Sequence, residues 1–412
     1  MTDKFRAPRG THDVLPSEQP LWQLVVGALA DVAERYGYRR IQTPNFEDTE
    51  VFARTSGAGS DIVQKEMYTF EDKGGRSLTL KPEGTAPIAR AYIEHGMHRD
   101  PQPVKMYTVA PMYRYEAPQR GRYREHWQCS VEAFGSADPA LDAEVIDLYG
   151  EFARRAGITR YVLQLNSIGD AACRPAYLER LNAWLDEHDD VLDDDARHKR
   201  QRSPLRVFDV KSPSVRAALA DAPKICDHLC DACAEHFATV RVYLDALGIA
   251  YELEPTLVRG LDYYTRTVFE FVNPAETAQP QICSGGRYDA LVDQLGGPPT
   301  PGVGFGAGIE RAIIALEDEG ASPEPPAVDV FVVVDGAPRE RVLAALAELR
   351  RAGLAGDTDY AGRSIKGQMT QAGRSRARRV VIARAKDAVI RSRGADEEIV
   401  GLDDLVDTLT GS

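Results

Sequence analysis

The stretch LVRGLDYYTRTVFEF, residues 257–271, sets charged and phenolic side chains between two apolar ends. The apolar ends are typical of a protein core, whereas Arg259, Tyr263 and Tyr264 carry groups that need polar partners when they are buried. This combination is not typical of an ordinary strand. The segment is therefore a candidate functional site, and its chemistry depends on the other polar segments that the fold brings to it.

A second candidate is MYRYEAPQRGRYREHWQCSVEAF, residues 112–134. Alternation predicts two strands joined by a turn that contains Pro and Gly, with Arg114 and Glu116 on one face of the first strand. Arg120 and Arg122 lie at the tip. On the second strand, one face carries five polar side chains: Arg124, His126, Gln128, Ser130 and Glu132. Such a face could bind a ligand or, alternatively, be the solvated side of an antiparallel sheet.

Four glycines alternate with other residues in PGVGFGAGIERAIIAL, residues 301–316, at positions 302, 304, 306 and 308. A strand with this pattern has one face without side chains. Because glycine weakens a strand, the bare face indicates close approach of a flat ligand or, alternatively, tight packing of sheet against helix. Neither a G-x-G-x-x-G fingerprint nor a G-x-x-x-x-G-K-[ST] loop occurs in the chain.

Two shorter segments add candidate ligands. In KPEGTAPIARAYIEHG, residues 81–96, Glu83 precedes Thr85, which we expect to be the N-cap of a helix. The Glu83 carboxylate would stabilise the helix N-terminus or, equally, hold a ligand ammonium group. In CSGGRYDALV, residues 283–292, a Gly-Gly turn precedes Tyr288, a pattern also typical of an ordinary connection from strand to helix.

Six cysteines lie at positions 129, 173, 226, 230, 233 and 283. Three of them, Cys226, Cys230 and Cys233, resemble a zinc cluster together with His228 and His236. Structural zinc sites usually combine two clean pairs of ligands, and here one C-x-x-C lacks a second pair. Free thiols on a helical segment are favoured over zinc, and the sequence assigns no metal site.

The net charge of −13 argues against a generally basic nucleic-acid-binding protein but permits a local basic patch. Residues 363–393 form such a patch, with ten Arg or Lys and one acidic residue, Asp387. A charge run is often the solvated face of a helix. This run spans a predicted helix and a predicted strand, which equally suits a phosphate-binding surface.

The 412 residues are enough for two or three domains, and a hydrophobic content of 43% is normal for a soluble protein. No apolar run is long enough to span a membrane and no secretory signal is visible, so we expect a cytoplasmic protein without membrane association.

A proline-rich stretch, GASPEPPA at 320–327, predicts a linker between two parts of the chain. Residues 1–322 mix strands with helices, including one at 20–37, and contain a polar helical insertion at about 170–245. Residues 328–412 predict a small α/β domain. Its expected strands lie at 328–334, 355–360, 379–383 and 388–393, and its helices at 338–352, 365–373 and 402–409.

These segments, in this order, resemble the class II aminoacyl-tRNA synthetases and, among them, the histidyl-tRNA synthetases. RGTHDVLP and YGYRRIQTPNFEDTEVF resemble the N-terminal segment and motif 1, MYRYEAPQRGRYREHWQ resembles motif 2, and GVGFGAGIER resembles motif 3. LVRGLDYYTRTVFEF and CSGGRYDALV resemble the two histidine-specific segments. His126 and Trp127 depart from the family, in which an aromatic residue more often precedes the histidine.

The resemblance covers essentially the whole chain and implies an α+β fold. It implies a class II catalytic domain over 1–322, built on an antiparallel sheet with the helical insertion, and a C-terminal α/β anticodon-binding domain over 328–412. It also implies a histidine–tRNA ligase, in which L-histidine and ATP form histidyl-adenylate and the histidyl group then moves to the 3′ end of tRNA(His). Motif 1 implies a homodimer.

The first step of that reaction brings a carboxylate to the α-phosphorus of ATP, so cationic groups at this phosphate are the central need. The resemblance assigns this catalytic role to Arg114 and Arg259, the latter in a position where most class II enzymes hold a magnesium ion. A planar guanidinium suits phosphate oxygens because it donates two parallel hydrogen bonds. Mg²⁺ would still accompany the outer phosphates.

The resemblance implies three further sets of contacts. The ATP-binding residues are Arg114, Glu116, Arg122, Gly304, Gly306 and Arg311. The histidine-binding residues are Glu83, Gly84, Thr85, Arg114, Gln128, Glu132, Arg259, Tyr263, Tyr264 and Tyr288. The tRNA-binding residues are Gln119, Arg120, Arg363, Lys366 and Arg374.

A non-catalytic alternative is the synthetase-like regulatory subunit of ATP phosphoribosyltransferase. This protein shares the core fold but usually lacks the anticodon-binding domain and the ATP-binding arginines. All four arginines are present here, at 114, 122, 259 and 311, and so is the C-terminal region. The sequence therefore favours the ligase.

Overall fold

The computed structural model describes residues 5–57, 60, 62–210, 212–276, 280–322, 327–392, 394 and 396–411. Contacts divide the chain into two compact units, Met1–Val14 with Leu21–Ser322 and Leu15–Pro20 with Pro323–Ser412. Of the linker expected at 320–327, positions 323–326 lie outside the described residues. Within the described ranges, each helix is too short or too polar to span a lipid bilayer.

From residue 19 to residue 318, the described chain forms eleven strands and ten α-helices. The strands are β1 (Arg39–Arg40), β2 (Phe46–Asp48), β3 (Tyr68–Glu71), β4 (Ser77–Leu80), β5 (Val104–Tyr113), β6 (Glu125–Phe134), β7 (Val162–Ser167), β8 (Glu252–Leu253), β9 (Thr265–Val272), β10 (Gln281–Arg287) and β11 (Gly302–Gly308). The helices are α1 (Gln19–Arg35), α2 (Thr49–Ser56), α3 (Thr85–Glu94), α4 (Pro139–Ala156), α5 (Arg174–Glu187), α6 (Asp194–Arg202), α7 (Pro213–Ala218), α8 (Asp231–Ala246), α9 (Leu291–Gln294) and α10 (Ile309–Asp318).

Eight of these strands form one central sheet in the order β1-β5-β6-β11-β10-β9-β7-β8. All neighbours from β5 to β7 pair antiparallel, and only the short edge strands β1 and β8 pair parallel. Strands β2, β4 and β3 form a separate antiparallel sheet. Helices α5 to α8 lie between β7 and β8 in the chain. The predicted α+β class is confirmed.

The central sheet has one apolar and one polar face because side chains alternate along each strand. On β6, Cys129, Val131 and Ala133 are buried in a core that also contains side chains of α1, α4, α8 and α10. Gln128 and Glu132 therefore point to the opposite face. The register pairs β6 residues 132, 130 and 128 with β11 residues 304, 306 and 308. The bare side of the glycine strand thus adjoins the polar side of β6.

The loop between β5 and β6 is longer than the sequence predicts. Strand β5 ends at Tyr113 and β6 begins at Glu125, so Arg114, Glu116 and Arg124 lie outside the regular strands. The prediction that Arg114 and Glu116 share a strand face is wrong. The physical reason lies in the backbone, since the Tyr115 amide donates to the Glu66 carbonyl at 2.7 Å instead of continuing the ladder with β6.

The second unit contains five strands and three helices among its described residues. They are β12 (Val330–Val334), α11 (Arg339–Arg351), β13 (Gly356–Thr358), α12 (Ile365–Arg374), β14 (Arg379–Ala383), β15 (Asp387–Ser392), β16 (Glu398–Gly401) and α13 (Leu405–Thr410). The sheet order is β13-β12-β14-β15-β16. Each element expected from the sequence is present within a few residues. Strand β16 was not expected, because its four residues, EIVG, are too few to show an alternation.

Candidate active site

A polar cleft of about 730 Å³ opens on the polar face of the central sheet. Its walls come from the β5–β6 loop, β6, β10, β11 and the first turn of α10. Four arginines line it: Arg114, Arg122, Arg259 and Arg311. This volume includes solvent at the open mouth of the cleft, so the lining residues, and not the volume, mark it as a candidate ligand site. We call it the polar cleft below.

Backbone carbonyl groups hold two of these arginines without neutralising them. Arg114 donates through Nε to the Pro82 carbonyl at 2.8 Å. Arg311 donates to the Gly121 carbonyl at 3.0 Å and to the Gln281 carbonyl at 2.8 Å. Burial lowers the pKa of Arg311 to about 10, and the positive charge of Arg114 adds to this effect. The cleft therefore concentrates positive charge that an anionic ligand would stabilise.

Arg259 is held differently from Arg114 and Arg311. It donates to the Glu270 carboxylate and to the Ser284 hydroxyl, the latter at 2.6 Å. Its guanidinium carbon lies 5.5 Å from the centre of the Tyr264 ring. Burial disfavours its charge, but Glu270, Tyr264 and Tyr263 together outweigh burial and raise the pKa of Arg259. The guanidinium is thus charged and fixed at the wall of the cleft.

Two glutamates line the same cleft. Glu116 pairs with Arg122 at 2.6 Å and lies 3.9 Å from Arg114. Glu310 accepts hydrogen bonds from the Trp127 amide at 2.9 and 3.1 Å, and burial raises the pKa of Glu310 to about 7. Glu270, which pairs with Arg259, adds a third carboxylate, so four arginines face three acids and the net charge favours a negatively charged ligand.

The two rings that depart from the family pattern lie on opposite faces of β6. His126 lines the polar cleft, and burial beside Arg114 lowers its pKa to about 3, so the imidazole is neutral. Trp127 packs edge-on against Trp22 with ring centroids 5.9 Å apart, at the border of the apolar core. His126 is therefore the ring available to a flat ligand in the cleft.

A buried group of acids and hydroxyl groups adjoins the cleft, and we call it the carboxylate cluster. Its members are Glu83, Thr85, Glu132, Tyr263, Tyr264 and Tyr288, each less than 9% exposed. Glu132 accepts a hydrogen bond from the Thr85 hydroxyl at 2.7 Å and another from the Tyr288 hydroxyl. Burial raises the pKa of Glu132 well above its usual range.

Glu83 stabilises the start of α3. Its carboxylate accepts from the backbone amides of Thr85 at 2.6 Å and Ala86 at 2.9 Å. Gly84 occupies the N-cap position and Thr85 is the first residue of the helix, so the expected capping role of Thr85 is wrong. The physical reason is that the Glu83 carboxylate accepts from the amides at the start of the helix, so the Thr85 hydroxyl is not needed there and donates to Glu132 instead.

The three tyrosines form one wall of the carboxylate cluster. The ring centroids of Tyr263 and Tyr264 are 4.7 Å apart, and those of Tyr263 and Tyr288 are 5.7 Å apart. Because the Tyr264 ring also lies beside the guanidinium of Arg259, it joins the cluster to the cleft. The two regions are therefore neighbours on one sheet face.

The alternating glycines serve both regions. A Cβ atom at Gly304 would overlap the Glu132 carboxylate and the Val131 carbonyl, and one at Gly302 would lie 2.5 Å from the Tyr288 ring. A Cβ atom at Gly306 would lie 2.6 Å from the Gln128 amide. Gly306 and Gly308 line the polar cleft, whereas Gly304 lies beneath the carboxylate cluster.

The structure thus divides the expected site residues between two places. The cleft includes Arg114, Glu116, Arg122, Gln128, Arg259, Gly306 and Arg311. Gly84 lies between Glu83 and Thr85 of the cluster, and a Cβ atom there would overlap the Ser130 hydroxyl. Sequence reasoning missed Glu270 and Ser284. Alternation along β9 would have placed Glu270 opposite the buried Phe269 and Phe271 and so on the polar face.

The candidate tRNA contacts lie in both units. Gln119 and Arg122 form an isolated bridge that closes the tip of the β5–β6 loop. Arg120 at this tip pairs with Asp318 at 2.7 Å and Glu276 at 3.3 Å. In the second unit, Arg363 pairs with Asp359 at 2.5 Å, and Lys366 and Arg374 are exposed on α12.

Comparison with known proteins agrees with this geometry. A family model described as Histidyl-tRNA synthetase matches residues 10–312. The histidine–tRNA ligase of Moorella thermoacetica is 49% identical over 410 residues, which covers 97% of this chain and 96% of that protein. The histidine–tRNA ligase of Caldanaerobacter subterraneus subsp. tengcongensis is 47% identical over 379 residues, or 92% and 91%. The crystal structure of apo histidyl-tRNA synthetase from S. aureus is similar, with a TM-score of 0.83 and 36% identity over 99% of this chain and 100% of that chain.

Proposed function

The chain belongs to the histidyl-tRNA synthetase family and is a histidine–tRNA ligase, and we propose that the polar cleft binds its ATP and the carboxylate cluster its histidine. The observation that carries this assignment is the contrast between two adjoining regions. Four arginines converge on the open cleft, and two buried glutamates lie in the cluster beside it. The cleft suits the phosphates of a nucleotide, and the cluster suits a cationic or hydrogen-bonding amino acid.

Arg114 and Arg259 stabilise the adenylation step. The histidine carboxylate attacks the α-phosphorus and pyrophosphate leaves, and fixed guanidinium groups stabilise the negative charge that collects around that phosphorus in the transition state. The Pro82 carbonyl and the Glu270 carboxylate hold these two side chains in place before substrate arrives. This pre-organisation means that little reorientation is needed during the reaction.

The remaining cleft residues hold the nucleotide. Arg311 lies at the start of α10, where it can cover the base and meet an outer phosphate, and Glu116 can accept from the adenine amino group. Arg122 supplies a further cation for the outer phosphates. The side-chain-free surface at Gly306 leaves room for a flat ring beside the neutral imidazole of His126.

The carboxylate cluster recognises histidine through opposite hydrogen-bonding groups. Glu83 binds the amino acid's ammonium group, and Glu132 accepts from one imidazole nitrogen while a tyrosine hydroxyl or Gln128 donates to the other. Among the described residues, no lysine or arginine forms an ion pair with Glu132, which supports a ligand as its positive partner. A site built to hydrogen-bond both nitrogens rejects flat side chains that lack them.

Magnesium, tRNA and a partner subunit complete the proposal. Magnesium binds readily to one carboxylate together with phosphate oxygens, and Glu310 is the carboxylate lining the cleft that is not assigned to adenine. When bound, the ion would neutralise charge on the β- and γ-phosphates.

Gln119 and Arg120 would contact the tRNA acceptor end. The basic surface of α12 would contact the anticodon stem-loop through Arg363, Lys366 and Arg374. Motif 1 would form a homodimer interface, and the reaction would take place in the cytoplasm.

The proposed domain roles assign catalysis to residues 1–322 and anticodon binding to residues 328–412. The regulatory-subunit alternative is not favoured, because the ATP-binding arginines line one cleft and the curated relatives are ligases over nearly their full length.

Histidine-dependent exchange of pyrophosphate into ATP tests the assignment. The purified chain should catalyse exchange that requires L-histidine, and exchange at background level would contradict it. A chain that ends at residue 327 should keep most exchange but lose tRNA charging. Equal loss of both activities would contradict the proposed domain roles.

A further inference from the structure

A second group of ligand atoms lies away from the polar cleft, where α5 and α8 begin. Asp170, Cys173, Cys230 and Cys233 each place one ligand atom within 4.8 Å of the others. The Cys173 and Cys233 sulfurs are 3.9 Å apart, and the Cys173 sulfur lies 3.9 Å from Asp170 Oδ1. Ligands about 2.3 Å from a tetrahedral ion lie roughly 3.8 Å from one another. The four side chains therefore have the spacing of one coordination shell.

The membership of this group differs from the cluster that the sequence suggested. Cys226 does not belong to it, His228 packs against Tyr177 with ring centroids 5.9 Å apart, and His236 hydrogen-bonds to Asp142 at 3.2 Å. The sequence showed one pair of ligands, Cys230 and Cys233, without a second pair. In the structure the second pair is a D-x-x-C segment, Asp170 with Cys173. A search limited to cysteine and histidine pairs passes over it because its first ligand is a carboxylate.

We propose that Asp170, Cys173, Cys230 and Cys233 bind one zinc ion in a structural site. Three thiolates and one carboxylate form a soft ligand set that selects zinc over magnesium or calcium. Four protein ligands leave no open position for a substrate, so the site is structural and not catalytic. Two of the ligands, Cys173 and Cys233, are buried.

The local backbone is arranged for thiolates. Cys173 is the N-cap of α5 and Cys230 the N-cap of α8, where the helix dipole stabilises negative charge. The Asp170 amide donates to the Cys173 sulfur at 3.4 Å. Gly169 has φ +61°, and a Cβ atom there would lie 2.6 Å from the Cys173 sulfur. Glycine thus lets the chain turn closely around this ligand.

Two arginines balance the charge of the site. Three thiolates, one carboxylate and a divalent ion leave two negative charges. Arg266 donates to Asp170 Oδ2 at 3.2 Å, and Arg174 donates to the Gly169 carbonyl at 3.2 Å. Hydrogen bonds of this kind orient a ligand and tune the affinity of a metal site. Arg266 has φ +52°, an unusual conformation for an arginine, at the position that reaches Asp170.

The proposed zinc site would stabilise the position of the helical insertion relative to the carboxylate cluster. Its ligands lie at both ends of the inserted segment, before α5 and at the start of α8. Arg174 also donates to the Tyr264 carbonyl at 2.8 Å, and the Arg266 amide donates to the Gly169 carbonyl at 2.7 Å. Zinc would therefore stabilise the segment that carries Tyr263 and Tyr264.

Metal analysis of the purified full-length chain tests the proposal. The protein is produced without a histidine tag in zinc-supplemented medium, dialysed without chelator and measured by plasma mass spectrometry. One zinc per chain is expected. Cys230→Ser and Cys233→Ser should each reduce bound zinc at least about tenfold, because loss of a ligand exceeds the 10–100-fold cost of losing an outer contact. Zinc at background level in the unsubstituted chain overturns the proposal.

Two matched variants separate metal binding from loss of the fold. Cys226→Ser removes a cysteine outside the group and should keep one zinc. Asp170→Cys completes a four-cysteine set and should also keep it, whereas Asp170→Ala should lose it. Replacement of zinc by cobalt in the unsubstituted chain should produce visible absorption bands typical of tetrahedral thiolate coordination. Undiminished zinc in Cys233→Ser, or a disulfide among residues 173, 230 and 233 in freshly purified protein, overturns the proposal.

Discussion

The polar cleft and the carboxylate cluster lie side by side on one sheet face but are built in opposite ways. The cleft is open, and its cations Arg114 and Arg311 are held by backbone carbonyl groups. The cluster is closed, and its acid Glu132 is held by hydroxyl groups of Thr85 and Tyr288. In each region the holding groups fix the geometry of the charged side chain without cancelling its charge.

This difference shows how one antiparallel sheet can present two sites of opposite polarity. The Arg311 pKa is lowered because burial and neighbouring cations disfavour its charge. The Glu132 pKa is raised because burial disfavours its carboxylate. Both groups would be stabilised by a ligand of the opposite charge. The cleft thus favours phosphate, and the cluster favours a cationic or proton-donating group.

The largest expected effect is that of Arg259→Ala on the cleft. Loss of one charge-stabilising donor typically lowers kcat by about 10²–10³-fold, and we expect pyrophosphate exchange to fall by that factor. Steady-state exchange assays measure the change. Arg197→Ala removes an arginine that pairs with Asp189 at 3.2 Å on the insertion and serves as the matched control with unchanged exchange.

Size-exclusion chromatography should show the same assembly for Arg259→Ala and the unsubstituted chain. Loss of assembly together with activity would assign Arg259 a structural role and break the contrast between the two regions.

Glu132→Gln should weaken histidine binding in the carboxylate cluster and leave ATP binding in the polar cleft unchanged. A hydrogen bond to a charged group contributes about 1.5–3 kcal/mol, so KM for histidine should rise about 10–100-fold while KM for ATP stays unchanged. Exchange kinetics with each substrate varied in turn measure both constants. Glu151→Gln, which removes a half-buried carboxylate that pairs with Arg154 at 2.6 Å outside both regions, is the control. An equal rise in both KM values would contradict separate sites.

Two glycine-to-alanine substitutions on β11, each of which adds one methyl group, form a matched pair. In Gly304→Ala the added methyl would meet the Val131 carbonyl, which cannot rotate away, and overpacking of this kind costs about 1–3 kcal/mol. In Gly306→Ala it would meet the end of the Gln128 side chain, which can move. We expect a lower free energy of unfolding only in Gly304→Ala, as measured by urea unfolding. Equal destabilisation at both positions would mean that the two glycines do not differ in the packing beneath them.

The smallest expected effect is a pH dependence at Glu310. Its pKa is raised to about 7 by burial, so the folded state binds a proton more readily than the unfolded state. Stability contributed by the protonated carboxyl is therefore lost as pH rises towards 7 and above. Relative to Glu310→Gln, the unsubstituted chain should lose about 1 kcal/mol of unfolding free energy between pH 6 and pH 8. Urea unfolding at both pH values measures this difference, and a pH-independent difference would refute the assignment.

Local patterns in the sequence were sufficient for most elements. Alternation on β6 placed Gln128, Ser130 and Glu132 on one face, and the structure confirms this. The helix at 20–37 and the seven elements expected in the C-terminal region are present. These predictions succeeded because the period of the apolar residues follows directly from strand and helix geometry.

Predictions that needed distant partners were less accurate. The strand expected through Arg114 and Glu116 ends at Tyr113, because the Tyr115 amide pairs with the carbonyl of Glu66 about fifty residues earlier. The candidate metal cluster of the sequence was incomplete for a similar reason, since Asp170 and Cys173 lie beside Cys230 and Cys233 only in the folded chain. Spacing along the chain shows a D-x-x-C and a C-x-x-C segment, but it does not show that the two lie together.

The sequence by itself determined the family, the fold class and the set of polar residues, because the motifs and the periodicity lie within short continuous segments. Only the tertiary structure decided which of those residues lie together. It placed Gly304 under the carboxylate cluster and Gly306 on the cleft, and it gave Glu83 the capping of α3. The physical reason is that burial, charge balance and hydrogen-bond partners depend on strand register and on contacts between distant segments, which no local pattern encodes.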